Sequence, residues 1–151
     1  MKFLLTRELG KLAKWLRILG FDAAYLTEDN PGSIIIQALR ENRIILTRNL
    51  NLARSARVKT LPVGSEILKE QIPQILKELK LAVNDDMMFS RCILCNAELA
   101  AVEKSAIKGQ VPEYVFNTQD KFVRCPACKR IYWSGTHWGN VFATLKEIGA
   151  I

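Results

Sequence analysis

KFLLTRELGKLAKWLRILGFDAAYL, residues 2–26, holds a strand, a helix and a second strand in one stretch. The apolar run Phe3-Leu4-Leu5 breaks at Thr6-Arg7. From about Glu8 to Leu19 the apolar residues Leu9, Leu12, Ala13, Leu16 and Leu19 recur at helical spacing, and Gly20 is a natural stop. Phe21 to Leu26 reads as the next strand, and Trp15 is expected in the core or between lobes. The alternation then continues outward. Asn30-Pro31-Gly32-Ser33 is a turn, with Ser33 as the cap of a helix over about 34–42. Arg43 to Thr47 is a strand, Asn49 to Ala56 a short helix, Lys59 to Val63 a strand, and Glu66 to Lys80 a longer helix. Short apolar strands between amphipathic helices imply a parallel sheet covered on both faces, a three-layer α/β domain. A ligand crevice in such a sheet lies beyond the C-terminal strand ends. Those ends are Thr6-Arg7, Thr27-Glu28-Asp29, Thr47-Arg48-Asn49 and Gly64-Ser65-Glu66.

Asn84-Asp85-Asp86 marks a change of character, which divides the chain into an α/β domain over 1–84 and a small domain over 85–151. The second part carries all four cysteines, as Cys92-Ile93-Leu94-Cys95 and Cys125-Pro126-Ala127-Cys128, with 29 residues between the pairs. Two such knuckles complete an all-sulfur tetrahedral shell, so the spacing predicts a structural zinc ribbon held by Cys92, Cys95, Cys125 and Cys128. The alternative is two disulfides. Met1-Lys2-Phe3-Leu4-Leu5 is soon followed by Arg7, Glu8 and Lys11, which does not read as a signal peptide. A cytoplasmic chain with reduced thiols is therefore expected, and metal is the better reading. A closed four-cysteine shell leaves no open position, so this zinc should hold structure and not catalyse. A strand at Arg130–Trp133 and a helix over about Trp138–Ile148 are predicted, with Val111–Phe116 as an extended excursion.

The net charge of +7 is uneven. Residues 1–84 carry 14 Lys and Arg against 8 Asp and Glu; residues 85–151 carry 8 against 7. A basic first lobe suggests a polyanion, most simply nucleic acid, although solubility alone needs such charge too. Arg7, Lys11, Lys14 and Arg17 form one stripe that starts beside the crevice, suited to a phosphate backbone; the bland alternative is a solvated helix face. Arg48 at the crevice edge can take a phosphate with its fork or pair with Asp29. The single histidine, His137, suits acid–base work by its pKa, yet packing in the ribbon is the simpler role. Tyr132, Trp133 and Trp138 either stack bases or fill a thin core. No apolar run is long enough to span a membrane.

Several segments together resemble the RNase domain found at the C terminus of mut-seven-type exonucleases, which also occurs free-standing. They are the opening MKFLLTRELGKLAKWLRILGFDAAYL, Ile45-Leu46-Thr47-Arg48-Asn49, Ser90-Arg91-Cys92-x-x-Cys95-Asn96, Val111-Pro112, Arg124-Cys125-Pro126-x-Cys128 and Tyr132-Trp133-x-Gly135-x-His137-Trp138. The resemblance implies a PIN-like α/β fold fused to a zinc ribbon. It also implies a metal-dependent endoribonuclease, with carboxylates at strand ends that hold Mg²⁺ or Mn²⁺ against a phosphate.

The resemblance fails where chemistry needs it. Thr6 stands where the family usually has Asp, and Thr47-Arg48-Asn49 where it has Thr-Arg-Asp. The acids left near the strand ends are Glu28, Asp29 and Glu66, with Glu70 a turn further on. Asp29 best matches a family acid, and Glu66 matches less well. The expectation is an RNA-binding protein of this ribonuclease type whose centre is weakened or lost. Asp29, helped by Glu28 or Glu66, would hold the ion for any residual cleavage. The alternatives are a non-catalytic module for RNA, a ribosome or another ribonucleoprotein, and a protein-interaction adaptor that docks through the ribbon.

Overall fold

A computed structural model of the chain describes every residue except Ala56 and Gly135, and every side chain except theirs and those at 55 and 136–139. Strand β1 (Lys2–Leu5) leads through a 3-10 turn, Arg7–Leu9, into helix α1 (Gly10–Ile18) and strand β2 (Asp22–Tyr25). Helix α2 (Pro31–Glu41), strand β3 (Ile44–Thr47), helix α3 (Leu50–Ser55), strand β4 (Thr60–Pro62) and helix α4 (Leu68–Glu78) complete the first lobe. The sheet is four-stranded, in the order β2-β1-β3-β4, and every pairing is parallel. β1 and β3 are central, which is why they read as unbroken apolar runs without alternation. Phe3, Leu5 and Leu46 face α1 and α4, where Leu12, Leu16, Ile72 and Ile75 meet them. Leu4 and Ile45 face the other way, onto Ile34, Ala38 and Leu52 of α2 and α3. The three layers expected from the sequence are present.

Gly20 ends α1 with φ of 93°, and Phe21 N–H reaches back to the Leu16 carbonyl at 2.9 Å. A Cβ at Gly20 would lie 2.3 Å from the Met87 carbonyl oxygen, so this glycine also lets the linking segment close onto α1. Three local expectations are corrected. Asn30, not Ser33, caps α2: its side chain accepts from Ser33 N–H at 3.1 Å, and Pro31 occupies the first helical turn, where no N–H is needed. Glu66 precedes the last lobe helix, which starts at Leu68. Residues 113–118 are not extended but form helix α5 (Glu113–Thr118), which buries Val115.

The second part contains strands β5 (Ala100–Val102), β6 (Phe122–Arg124) and β7 (Ile131–Trp133) in one antiparallel sheet, and it ends in helix α6 (Thr136–Glu147). Ile107, Val115 and Phe122 form its own small core. α6 does not pack there: Val141 and Leu145 join the main core of the first lobe. The ribbon also grips α1. Arg17 is 8% exposed. Its Nε donates to the Ala23 carbonyl at 2.9 Å, and one terminal nitrogen donates to the carbonyls of Ile93 at 2.8 Å and Leu94 at 3.2 Å. Arg17 therefore leaves the basic stripe, because its guanidinium is spent on backbone acceptors inside the molecule. Arg17→Met should orphan those carbonyls and cost about 2–4 kcal/mol in urea unfolding. A loss below about 0.5 kcal/mol would show the contacts to be dispensable.

Candidate functional site

The strand order reverses between β1 and β3, so the crevice lies where Thr6 and Thr47 end them. Both threonines are buried. Thr6 Oγ1 lies 2.9 Å from Thr47 Oγ1. Both hydroxyls reach the same atom, Glu8 Oε1, at 2.7 Å and 3.2 Å, and Arg48 N–H donates to it at 2.8 Å. Partial burial pushes the Glu8 carboxyl up, but the hydrogen bonds from Arg48 N–H, Thr6, its own N–H and Thr47 outweigh this and leave it below the ordinary value. The resulting stabilisation is present above the usual carboxylate range and is lost as pH falls through the depressed pKa.

Helical periodicity assigns Glu8 to the first helix. The chain instead makes a 3-10 turn over Arg7–Leu9, and α1 starts at Gly10. That turn brings Glu8 back over the strand ends. The only sequence signal for it is an acid three residues beyond the end of β1, in Thr6-Arg7-Glu8.

Asn49 is occupied differently. Its Oδ1 accepts from Asn51 N–H at 3.0 Å and Leu52 N–H at 3.2 Å, as the cap of α3. Asp29 pairs with Arg7 at 3.1 Å, not with Arg48, and both groups are well exposed. Arg48 stands 3.9 Å from Glu66, and Glu70 accepts from Ser65. Glu28 is exposed beyond β2. Among the described residues no three of these carboxylates gather closely enough to share a metal ion; the four cysteines do.

The two cysteine knuckles are built alike. Cys95 N–H points at Cys92 Sγ and Cys128 N–H at Cys125 Sγ, each at 3.4 Å. Each knuckle is followed by a left-handed residue, Asn96 or Lys129, both with φ of 66°. The four sulfurs lie within 4.8 Å of one another, and Cys92 and Cys128 are 3.8 Å apart. Metal–sulfur bonds of about 2.3 Å in a tetrahedron place sulfurs about 3.8 Å apart, so the set fits a zinc ribbon. Tyr132 Oη lies 3.1 Å from Cys92 Sγ. Burial raises the Cys92 thiol, yet the Tyr132 hydroxyl and the backbone N–H groups of Cys95 and Leu94 outweigh it and bring it down to about 7, toward the thiolate a metal requires.

The first knuckle is anchored to the edge of β2. Asn96 Nδ2 donates to Asp22 Oδ1 at 2.6 Å, and Ala23 N–H donates to Asn96 Oδ1 at 3.0 Å. Arg43 donates to the same Asp22 oxygen at 2.6 Å.

A family model described as Mut7-C RNAse domain matches residues 1–145. The chain belongs to this family. No curated protein and no solved structure matches it. In this Mut7-C domain the exposed basic residues beside the crevice are Arg7, Lys11, Lys14 and Arg48. Lys11 and Lys14 line a shallow cleft of about 370 Å³ with Tyr25 and the knuckle residues Ile93 and Leu94. Trp133 packs on the ribbon core, where its ring centroid lies 6.4 Å from that of Phe122. The roles considered for His137 and Trp138 lie outside the described residues. Among the described residues no helix is long and apolar enough to cross a membrane.

Proposed function

We propose that this Mut7-C domain is a PIN-like, RNA-binding member of its ribonuclease family whose metal-dependent centre is weakened or lost. The observation that carries the reading is the state of the crevice. Its two central strands end in Thr6 and Thr47, Asn49 is spent on a helix cap, and one carboxylate, Glu8, is held there by two hydroxyls and an amide. Asp29, Glu28 and Glu66 stand apart from it as solvated or paired acids. A bound Mg²⁺ or Mn²⁺ would polarise a phosphate and ionise an attacking water, and the pattern of this ribonuclease type gathers two or three carboxylates at the strand ends to hold it. Glu8 with neutral neighbours supplies one.

RNA binding requires less. The Arg7 guanidinium pairs with Asp29 at an exposed site, a contact worth at most about 1 kcal/mol that exchanges readily for a phosphate. Lys11 and Lys14 extend the same surface along α1, and Arg48 flanks the crevice. The metal of the ribbon is zinc in this reading, one ion per chain, and the protein works in the cytoplasm on RNA that is free or part of a ribonucleoprotein. A non-catalytic binding role is favoured over an adaptor role by the position of these cations beside the crevice.

The test is end-labelled single-stranded and structured RNA with Mn²⁺ or EDTA, read on denaturing and native gels. The expected result is a shift of intact RNA. With four phosphate contacts the affinity should fall with salt at a slope of about −3, and Lys11→Ala should flatten it by about 0.7. Cleavage that needs Mn²⁺ and disappears in Asp29→Ala would instead make the chain a working nuclease through Asp29. A shift insensitive to salt would favour the adaptor.

A further inference from the structure

The ribbon and the first lobe enclose a second cleft, of about 280 Å³, whose exposed lining is mostly apolar. Ile18 and Phe89 line it from the lobe side, and Val123, Tyr132 and Trp133 from the ribbon side. Arg91 and Lys121 border it. We infer that this cleft takes one unstacked base of a single-stranded RNA whose backbone lies along the exposed face of α1. The inference rests on the RNA-binding reading and adds a second site to it.

Four observations point to that occupant. First, the cleft adjoins the basic surface: Ile93, at the tip of the first knuckle, lines both this cleft and the shallow one that holds Lys11 and Lys14. α1 is nine residues long, about 14 Å, so one strand reaches from the crevice to Ile18 at its far end. Second, the volume falls just below the roughly 300–1,000 Å³ usual for small-molecule sites, which suits a single planar ring system better than a whole cofactor or a protein element. Third, aromatic walls with cations at the rim are the surface that a base and its phosphate require.

The walls are also set in advance. Tyr132 is held by its contact with Cys92 Sγ, Trp133 leans on Phe122, and the Phe89 ring lies 6.3 Å from that of Phe142. A base entering a preformed slot spends little on ordering it. Fourth, Arg91 Nε is buried without a hydrogen-bond partner, although the rest of its guanidinium is engaged with Asn96 and Glu98. A small turn of that group would give the N–H a base carbonyl or ring nitrogen. An apolar protein side chain would leave that N–H without a partner.

The experiment uses the full, metal-loaded chain and short oligoribonucleotides that carry 2-aminopurine, or an abasic site, at one position at a time. At one position the fluorescence of 2-aminopurine should change on binding, and removal of that base should weaken binding roughly tenfold. Ser134 lines the cleft and is exposed, so Ser134→Trp should fill the mouth and abolish both effects, with the salt slope unchanged. Lys121→Glu is a second, surface variant, expected to weaken the same position several-fold. If strands bind but abasic sites cost nothing at any position, the base site is wrong and RNA binding by the crevice stands. If no strand binds, both readings fall.

Discussion

The double variant Thr6→Asp, Asn49→Asp should become a Mn²⁺-dependent ribonuclease, where the natural chain is expected to shift RNA without cutting it. The geometry supplies the reason. Thr6 Oγ1 is 2.7 Å from Glu8 Oε1, so an aspartate at this position places a second carboxylate against the first and removes one of the donors that hold it. Two charges about 4 Å apart at a protein surface repel by roughly 4 kcal/mol, so without a cation the variant should be less stable and one carboxyl should stay protonated. A divalent cation reverses the sign of that interaction. Asn49→Asp adds a third carboxylate at little structural cost, because aspartate caps a helix as well as asparagine does. Mn²⁺ should therefore raise the melting temperature of the double variant by several degrees and leave that of the natural chain unchanged. If the variant neither binds Mn²⁺ nor cleaves, more than the two acids separates this crevice from a working one.

Cys92→Ser should unfold far more than the knuckle it belongs to. Structural zinc contributes about 10–16 kcal/mol to small zinc modules, comparable with the whole stability of a domain. In this chain the loss spreads. The first knuckle holds Arg17 of α1 through the carbonyls of Ile93 and Leu94, and α6, which follows the ribbon, buries Val141 and Leu145 in the lobe core. The variant should lose zinc, measured by elemental analysis against one ion per natural chain, and hydrogen exchange should quicken in α1 as well as after residue 90. Native protection of α1 in a metal-free variant would show that the lobe stands alone. Natural protein purified without stoichiometric zinc would remove the metal itself from the account.

Much of this was legible in the residues. Runs such as Phe3-Leu4-Leu5 and Ile44-Ile45-Leu46 have no polar member to turn outward, and that alone places them in a sheet covered on both faces. Two CxxC pairs state their own chemistry, because few arrangements satisfy four nearby thiols. The polar residues were harder. Arg17 shares a helical stripe with Lys11 and Lys14, yet its guanidinium ends inside, on carbonyls 76 and 77 positions away. Val111–Phe116 carried no clear period, and the burial of Val115 decided in favour of a helix there.

By itself the sequence determined the alternation of strands and helices in the first lobe and the paired cysteine knuckles, since each depends on residue type and short spacing. Tertiary structure alone decided that Glu8 stands over the strand ends, that Asn49 caps a helix, that α6 returns to the first lobe and that an aromatic cleft opens between ribbon and lobe. These depend on where a polar or apolar group finds its partner across the fold, and a side chain's type says that it needs a partner without saying which one.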